Sequence, residues 1–114
     1  MIHGVGIDVV DIDRFKQSLE RTPGLKQKLF TETESIKSIE SLAARFAAKE
    51  ALMKALNVKN GILWHEAEVV NLECGSPMFA FYGAVADLVN SANIHLSISH
   101  DAGIAIALVV VEHQ

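Results

Sequence analysis

Residues 45–56 read RFAAKEALMKAL, and this stretch decides how the rest of the chain is organised. It is rich in Ala and Leu and contains neither Gly nor Pro, which predicts a main α-helix from about Leu42 to Leu56. At about 100° per residue, Phe46, Glu50 and Met53 lie on one face of that helix. A carboxylate on an otherwise apolar face is unusual, so Glu50 is the first candidate for a functional role.

Two interpretations of Glu50 are open on spacing alone. In the first, Glu50 and Lys54 form an ordinary i,i+4 ion pair, which contributes about 0.2–0.5 kcal/mol. In the second, Glu50 holds a metal ion while Lys49 and Lys54 neutralise phosphate beside it. Spacing favours the ordinary pair, so the rest of the chain has to decide between them.

The composition of the 114-residue chain fits one domain, residues 1–114, because half of the residues are hydrophobic. The single cysteine, Cys74, excludes a disulfide framework and indicates a reducing compartment. The N-terminus does not have the pattern of a signal peptide, and the longest apolar run, 103–111, is too short to span a membrane. We therefore expect a soluble cytoplasmic protein.

The net charge of −4 hides an uneven distribution of basic residues. All ten Lys and Arg residues lie between Arg14 and Lys59, and residues 14–28 hold five of them against one acidic residue, Glu20. Such a run is either a solvated helix face or a basic patch for an acidic partner. The negative total charge and the lack of interleaved aromatic residues argue against nucleic acid.

The N-terminal residues Met1–Val10 are apolar and β-branched and predict a strand. With a period of two, Gly4, Gly6 and Asp8 share one face of this strand. Glycine in a strand often marks a close approach of a ligand or another backbone, and Asp is depleted from strands. Asp8 is therefore either a strand-end cap or a ligand for a hard cation in a pocket that the glycines open.

The remaining elements predict an α+β fold, with an antiparallel meander after the helices. Thr31 and Glu34 fit a capping box that begins a short helix. The other expected elements are a helix over 13–20, a turn at 57–61, a hairpin over 67–72 and 78–82, a helix over 84–91, and strands over 94–99 and 103–112.

The triplet Ser99-His100-Asp101 is not a catalytic triad. Three consecutive residues in a strand alternate between faces and cannot converge on one substrate atom. His100, at a predicted turn, is most simply a surface residue unless a wider pattern gives it a role.

Five segments, taken in order, supply that wider pattern. They are GVGID at 4–8 followed by Arg14, FTETE at 30–34, RFAAKEA at 45–51 with Lys54, LSISH at 96–100, and a final strand ending in Val111-Glu112. Together they resemble the holo-acyl-carrier-protein synthases, the small bacterial-type branch of the 4′-phosphopantetheinyl transferases. The resemblance extends over nearly the whole chain.

The resemblance implies a fold and an activity. The fold is an antiparallel sheet packed against a long central helix, in a homotrimer with active sites at the subunit interfaces. The reaction is Mg²⁺-dependent transfer of the 4′-phosphopantetheine group of coenzyme A to a serine of apo acyl carrier protein. It releases adenosine 3′,5′-bisphosphate and belongs to fatty acid biosynthesis.

The resemblance also implies site residues. The catalytic residues would be Asp8, Glu50 and Lys54, with Asp8 and Glu50 as metal ligands. The residues that bind coenzyme A would include Arg45, Lys49, Lys54 and His100. The surface that docks the acidic carrier protein would include Arg14, Arg21, Lys26 and Lys28.

The sequence departs from the family pattern in three places. Gly-Lys often precedes the position of Pro77 in the family, whereas this chain has Gly75-Ser76. Lys59, the last basic residue, is the obvious substitute in binding coenzyme A phosphate. The loop 57–61 and the segment 35–41 are also shorter than is usual for the family.

Two alternatives stay open. The same carboxylates could serve a different Mg²⁺-dependent phosphoryl or nucleotidyl transferase. The chain could also be a non-catalytic trimeric module that binds coenzyme A or an acidic protein, although two inward carboxylates are costly to bury without a partner.

Overall fold

The computed structural model describes residues 1–58 and 64–113, which form five strands and five α-helices. The strands are β1 (Ile2–Asp11), β2 (Ala67–Asn71), β3 (Pro77–Phe81), β4 (Asn93–Asp101) and β5 (Ile104–Glu112). The helices are α1 (Ile12–Arg21), α2 (Leu25–Leu29), α3 (Glu32–Ser35), α4 (Ile39–Leu56) and α5 (Gly83–Val89), and a single 3₁₀ turn spans Trp64–Glu66. The predicted α+β class is confirmed, and no described helix is long and apolar enough to cross a membrane.

The strands form two antiparallel sheets. One sheet has the order β1-β5-β4, and the other is the hairpin β2-β3. The predicted meander after the helices is only partly formed: β2-β3 and β4-β5 are antiparallel pairs as expected, but they lie in two different sheets, and β5 also pairs with β1. In this register Asp8 lies opposite Ala107, which in turn lies opposite Ile98.

Helix α4 packs on one face of the three-stranded sheet along a seam of small residues. Gly4 and Gly6 of β1 face the backbone of α4, and a Cβ added at either would overlap the carbonyl oxygen of Ala55 or Ala51. Both alanines are buried. The missing side chains let strand and helix approach closely, which places Asp8, two residues further along the same strand face, beside α4.

Local capping signals set the helix boundaries. Thr31 and Glu34 form the predicted capping box at the start of α3. Helix α4 begins at Ile39, three residues before the expected start, because the Ser38 side chain accepts a hydrogen bond from the backbone N–H of Ser41. It ends at Leu56, and the C-cap residue Asn57 adopts the left-handed conformation that the predicted turn requires.

The turn between β4 and β5 is tighter than predicted. His100 and Asp101 continue β4, and only Ala102 and Gly103 connect the two strands, both with positive φ. His100 therefore belongs to a strand, with its backbone position fixed by pairing with Ala105. It shares the face of the sheet that is turned toward α4.

The seam makes a prediction about Gly6. Gly6→Ala should lower the free energy of unfolding by about 3 kcal/mol or more, since overpacking a rigid backbone contact forces strand and helix apart. Gly24→Ala is the matched control, because Gly24 has positive φ but open space around it; it should lose only about 1 kcal/mol. Urea denaturation of both variants checks this, and equal losses would contradict the close approach.

Candidate active site

The first candidate site is a cavity of about 390 Å³ between β1, α1 and α4. Asp8 and Glu50 both line it, and Arg14 stands at its α1 side. The rings of Phe15 and Phe46, stacked with centroids 5.1 Å apart, form its apolar wall. The structure thus brings together the two carboxylates that the sequence singled out, from segments 42 residues apart.

Acidic groups outnumber basic ones at this cavity, because Asp8, Asp11 and Glu50 line it, against Arg14 and the Lys54 that bonds to Asp8. The Lys54 Nζ atom donates to Asp8 Oδ1 at 3.0 Å and to the carbonyl oxygen of Ile7 at 2.8 Å, so its ion pair is with Asp8 and not with Glu50. Burial raises the pKa of Glu50, and the nearby Asp8 carboxylate raises this pKa further, while Lys54 partly opposes both effects. The arrangement can accept an additional cation.

A second cavity, of about 240 Å³, lies beside the Arg45 side of α4. Arg45 and His100 line it together with Ser38, Ser41 and Asn71. Arg45 is only 6% exposed, and burial lowers the pKa of its guanidinium. Its Nη1 atom donates to Ser41 Oγ, and its Nη2 atom donates to Asn71 Oδ1 at 2.8 Å. A guanidinium, an imidazole and hydroxyl groups are suited to bind an anion.

The two cavities open on different sides of the same subunit. Glu50 and Arg45 are five residues apart on α4, which places them about 140° apart around the helix axis. Asp8 and His100 lie on β1 and β4, the two edge strands of a sheet with β5 between them. One chain therefore presents two cavities at opposite edges of the sheet.

Lys49 lies in neither cavity. Its side chain is 0% exposed, and its Nζ atom donates to Glu34 Oε1 at 2.7 Å and to the carbonyl oxygens of Leu29 and Trp64 at 2.9 and 3.0 Å. Burial lowers the pKa of Lys49, and the bond and charge of Glu34 oppose that shift. All three N–H groups of the ammonium are occupied within the protein.

Comparison with known proteins identifies the family. The model of the 4′-phosphopantetheinyl transferase superfamily matches residues 4–109. This chain belongs to that superfamily. It is 54% identical to a holo-[acyl-carrier-protein] synthase from Clavibacter michiganensis over 98% of this chain and 97% of the relative.

Solved structures of the family have the same fold. The Chronobacterium ammoniagenes ACPS–CoA complex is 32% identical, with a TM-score of 0.84 over 97% of both chains. A Bacillus anthracis holo-(acyl-carrier-protein) synthase in complex with CoA (3′,5′-ADP) is also 32% identical. Its TM-score is 0.80, over 100% of this chain and 99% of that one.

The structure corrects the assignment of Lys49 in this phosphopantetheinyl transferase. The resemblance implied that Lys49 contacts coenzyme A phosphates, but a fully buried ammonium with three protein acceptors cannot reach a ligand. Lys49 is part of the buried framework beneath Arg45. Lys59, the expected substitute for the lysine that Ser76 replaces, lies outside the residues that the structure describes.

The predicted docking residues lie around more than one cavity. Arg14 lines the cavity of Asp8 and Glu50, whereas Lys26 lies in a separate groove with Lys16 and Lys37. The other two predicted docking residues, Arg21 and Lys28, are exposed.

Sequence patterns missed the partners of Arg45 and Lys49. Asn71 contacts Arg45 across 26 residues, and no local motif marks an Asn at the end of a strand as such a partner. The sequence identifies Glu34 only as a capping residue. Its need for a cation follows from its burial, which results from the tertiary packing and cannot be read from the sequence.

The buried position of Lys49 makes a prediction about stability. Lys49→Met should lower the free energy of unfolding by about 3–5 kcal/mol, because it leaves the Glu34 carboxylate buried without its cation. Lys54→Met is the matched control on the same helix, where the side chain is 54% exposed, and it should change stability by less than about 1 kcal/mol. Thermal and denaturant unfolding test this, and a stable Lys49→Met variant would refute the framework role.

The raised pKa of Glu50 predicts a pH dependence of folding. Because the folded state disfavours ionised Glu50, its contribution to stability without metal should fall as pH rises from the ordinary glutamate range through the raised pKa. Glu50→Gln cannot ionise and should be more stable than wild type at pH 7 in EDTA. Glu40→Gln, in the first turn of the same helix, should instead lose about 0.3–1 kcal/mol.

Melting temperatures across pH 4–8 would measure both effects. Addition of Mg²⁺ should raise the melting temperature of the wild type and leave that of Glu50→Gln nearly unchanged. If Glu50→Gln is less stable than the wild type at pH 7 and its melting temperature still rises with Mg²⁺, ionised Glu50 is not destabilised in the fold and does not bind the cation.

Proposed function

We propose that this protein transfers the 4′-phosphopantetheine group of coenzyme A to a serine hydroxyl of an apo acyl carrier protein. The observation that carries this proposal is the shared cavity of Asp8 and Glu50, with Lys54 bound to Asp8, in a chain that belongs to the transferase family. Full-length similarity to a holo-[acyl-carrier-protein] synthase supports it.

The donor set in the first cavity fits Mg²⁺. Asp8 and Glu50 line one cavity, only Asp8 is paired with Lys54, and the pKa of Glu50 is raised by burial and by Asp8, so a divalent cation would relieve the repulsion between the two carboxylates. Mg²⁺ prefers one or two carboxylates together with substrate phosphate and water. When bound there, it would act as a Lewis acid that polarises the pyrophosphate of coenzyme A.

In the reaction, the serine oxygen forms a bond to the phosphorus that carries pantetheine, and the bond from this phosphorus to the bridging pyrophosphate oxygen breaks. The serine proton is lost to a base, and adenosine 3′,5′-bisphosphate leaves with the bridging oxygen. Lys54 stands beside Asp8 and can neutralise charge on the phosphoryl group in transfer. Arg14, which lines the cavity on its α1 side, would contact the carrier protein.

Arg45 and His100 would hold the phosphate of coenzyme A that is remote from the broken bond. The first cavity takes the pyrophosphate, and the second cavity offers the guanidinium and the imidazole to the remaining phosphate monoester. This assignment keeps two of the predicted coenzyme-binding residues and leaves out Lys49.

The outer face of the three-stranded sheet supports a homotrimer. Helix α4 covers one face, but Val5, Ile7 and Val9 on the other face of β1 are between 52% and 57% exposed, and Leu108 of β5 is exposed beside them. An apolar patch of this kind marks an interaction surface. The family resemblance makes it the interface of a closed ring of three copies.

The opposite placement of the two cavities, as two half-sites, supports an active site shared between subunits. In a ring with head-to-tail interfaces, the β1 edge of one subunit meets a different edge of its neighbour. A coenzyme A molecule could then bind the Asp8 and Glu50 cavity of one subunit and the Arg45 and His100 cavity of the next. Each trimer would contain three such sites.

The basic residues around α1 and α2 support docking of an acidic protein. Arg14 and Arg21 on α1 and Lys28 on α2 are exposed, and Lys26 lies in the neighbouring groove. Acyl carrier proteins are acidic as a family, so opposite potentials would steer the encounter.

The single exposed cysteine agrees with a cytoplasmic enzyme, and fatty acid biosynthesis is the pathway that we propose.

Mass spectrometry of the carrier protein tests the activity. Apo acyl carrier protein incubated with this protein, coenzyme A and Mg²⁺ should gain the mass of one phosphopantetheine, and adenosine 3′,5′-bisphosphate should appear in equal amount. Asp8→Asn and Glu50→Gln should each slow transfer by a factor of about 10² or more, since each removes a ligand while keeping its shape. Binding of coenzyme A without any mass gain would favour the non-catalytic module, and a different product would favour another transferase.

Mixing two inactive variants tests the shared site. Asp8→Asn and Arg45→Gln should each be nearly inactive alone, whereas trimers reassembled from an equal mixture should recover roughly a quarter of wild-type activity, because one interface in four then joins two intact half-sites. Light scattering should give three chains for each variant. If the mixture stays inactive although mixed trimers form, both half-sites serve the same subunit.

A further inference from the structure

The buried guanidinium of Arg45 has only neutral partners. Its Nη1 atom donates to the Ser41 hydroxyl and its Nη2 atom to the Asn71 carboxamide, and its Nε atom has no hydrogen-bond partner among the described residues. Arg45 is more than nine-tenths buried and lines the second cavity. A buried charge that is not hydrogen-bonded to a counter-ion is costly, so this arrangement requires an explanation.

The two carboxylates that attract Arg45 through space form their hydrogen bonds with other groups. Glu34 accepts hydrogen bonds from Lys49 and from the backbone N–H of Val69 at 2.9 Å, and Glu68 accepts from the Thr31 hydroxyl at 2.5 Å. Both attract Arg45 through space, but neither bonds to it. The positive charge of Arg45 is thus held in place by groups that do not neutralise it.

Asn71 joins Arg45 to the β2–β3 turn. Its Oδ1 atom accepts from Arg45 Nη2 at 2.8 Å, and its Nδ2 atom donates to the carbonyl oxygen of Gly75 at 3.1 Å. Ser76 follows Gly75 in this turn, and no Lys or Arg occurs after Lys59. The hairpin therefore contributes hydrogen bonds but no basic side chain to the cavity.

We propose that Asn71 is the positioning residue that aims Arg45 into the second cavity and, being uncharged, leaves its guanidinium free to bind a phosphate monoester dianion. This inference rests on the proposed function and assigns the specificity of its second half-site. An aspartate at position 71 could accept the same hydrogen bond but would neutralise the charge. The carboxamide therefore separates two roles that a carboxylate would combine, namely orienting the arginine and pairing with it.

The test compares ligands with and without the phosphate monoester. The variants are Asn71→Asp, which keeps the acceptor for Arg45 but adds a charge and loses the donor to Gly75, and Asn71→Ala, which removes both acceptor and donor. Gln17→Glu, on the exposed surface of α1, controls for the added charge alone. Calorimetry gives the dissociation constants of coenzyme A and of 3′-dephospho-coenzyme A for each trimeric protein.

Asn71→Asp should weaken binding of coenzyme A by about tenfold or more, the loss expected for a charge-assisted bond, and change binding of 3′-dephospho-coenzyme A by less than about twofold. Its melting temperature should stay near that of the wild type, since the ion pair that it gains with Arg45 offsets the hydrogen bond that it loses to Gly75. Asn71→Ala should weaken coenzyme A binding less, and Gln17→Glu should not change it. Equal losses for both ligands, or no loss in Asn71→Asp, would overturn the proposal.

A second measurement separates this inference from the transferase activity. The ¹⁵N resonance of Arg45 Nε, followed during titration with inorganic phosphate, should shift in the wild type and in Gln17→Glu, and much less in Asn71→Asp. If the wild type transfers no phosphopantetheine but this shift is seen, the proposed function fails and the anion site stands. If transfer occurs but the resonance responds equally in Asn71→Asp, the role of Asn71 is refuted.

Discussion

The close approach of β1 to α4 is the constraint on which the rest of the structure depends. Gly4 and Gly6 allow the strand to lie directly on the helix backbone, where any side chain would collide with a carbonyl oxygen. The same spacing puts Asp8 next to Glu50 and within hydrogen-bond distance of Lys54. The glycines that allow this close packing therefore also bring Asp8 and Glu50 together. The same strand–helix contact determines both the stability of the fold and the geometry of the candidate metal site.

A second constraint acts on the other side of α4. The buried pair of Glu34 and Lys49 joins α3 to α4, and Glu34 also accepts the backbone N–H of Val69, which fixes β2 against the helix. Two residues further along β2, Asn71 reaches Arg45. Lys49 is thus paired with the buried Glu34, whereas Arg45, whose hydrogen-bond partners are neutral, lines the second cavity.

Local and anomalous features of the sequence were predictable, and long-range partnerships were not. Asp8 was identified because Asp is rare in a glycine-lined strand, and the capping box of Thr31 and Glu34 because its spacing is local. The resemblance assigned Lys49 to the ligand, and helical periodicity, which assigns a residue to a face but not to a depth, could not show that Lys49 is buried. Asn71 and the β1–β5 pairing depend on contacts between distant segments, which no short motif encodes.

The most direct test of the account is to locate a bound divalent cation. Crystals of the protein grown with coenzyme A and Mn²⁺, a scattering substitute for Mg²⁺, should show an anomalous peak within coordination distance of the carboxylates of both Asp8 and Glu50. Lys54 should then lie beside the phosphate that the ion contacts. A peak bound by only one of the two carboxylates, or located away from the β1–α4 seam, would contradict the claim that this seam builds the catalytic metal site.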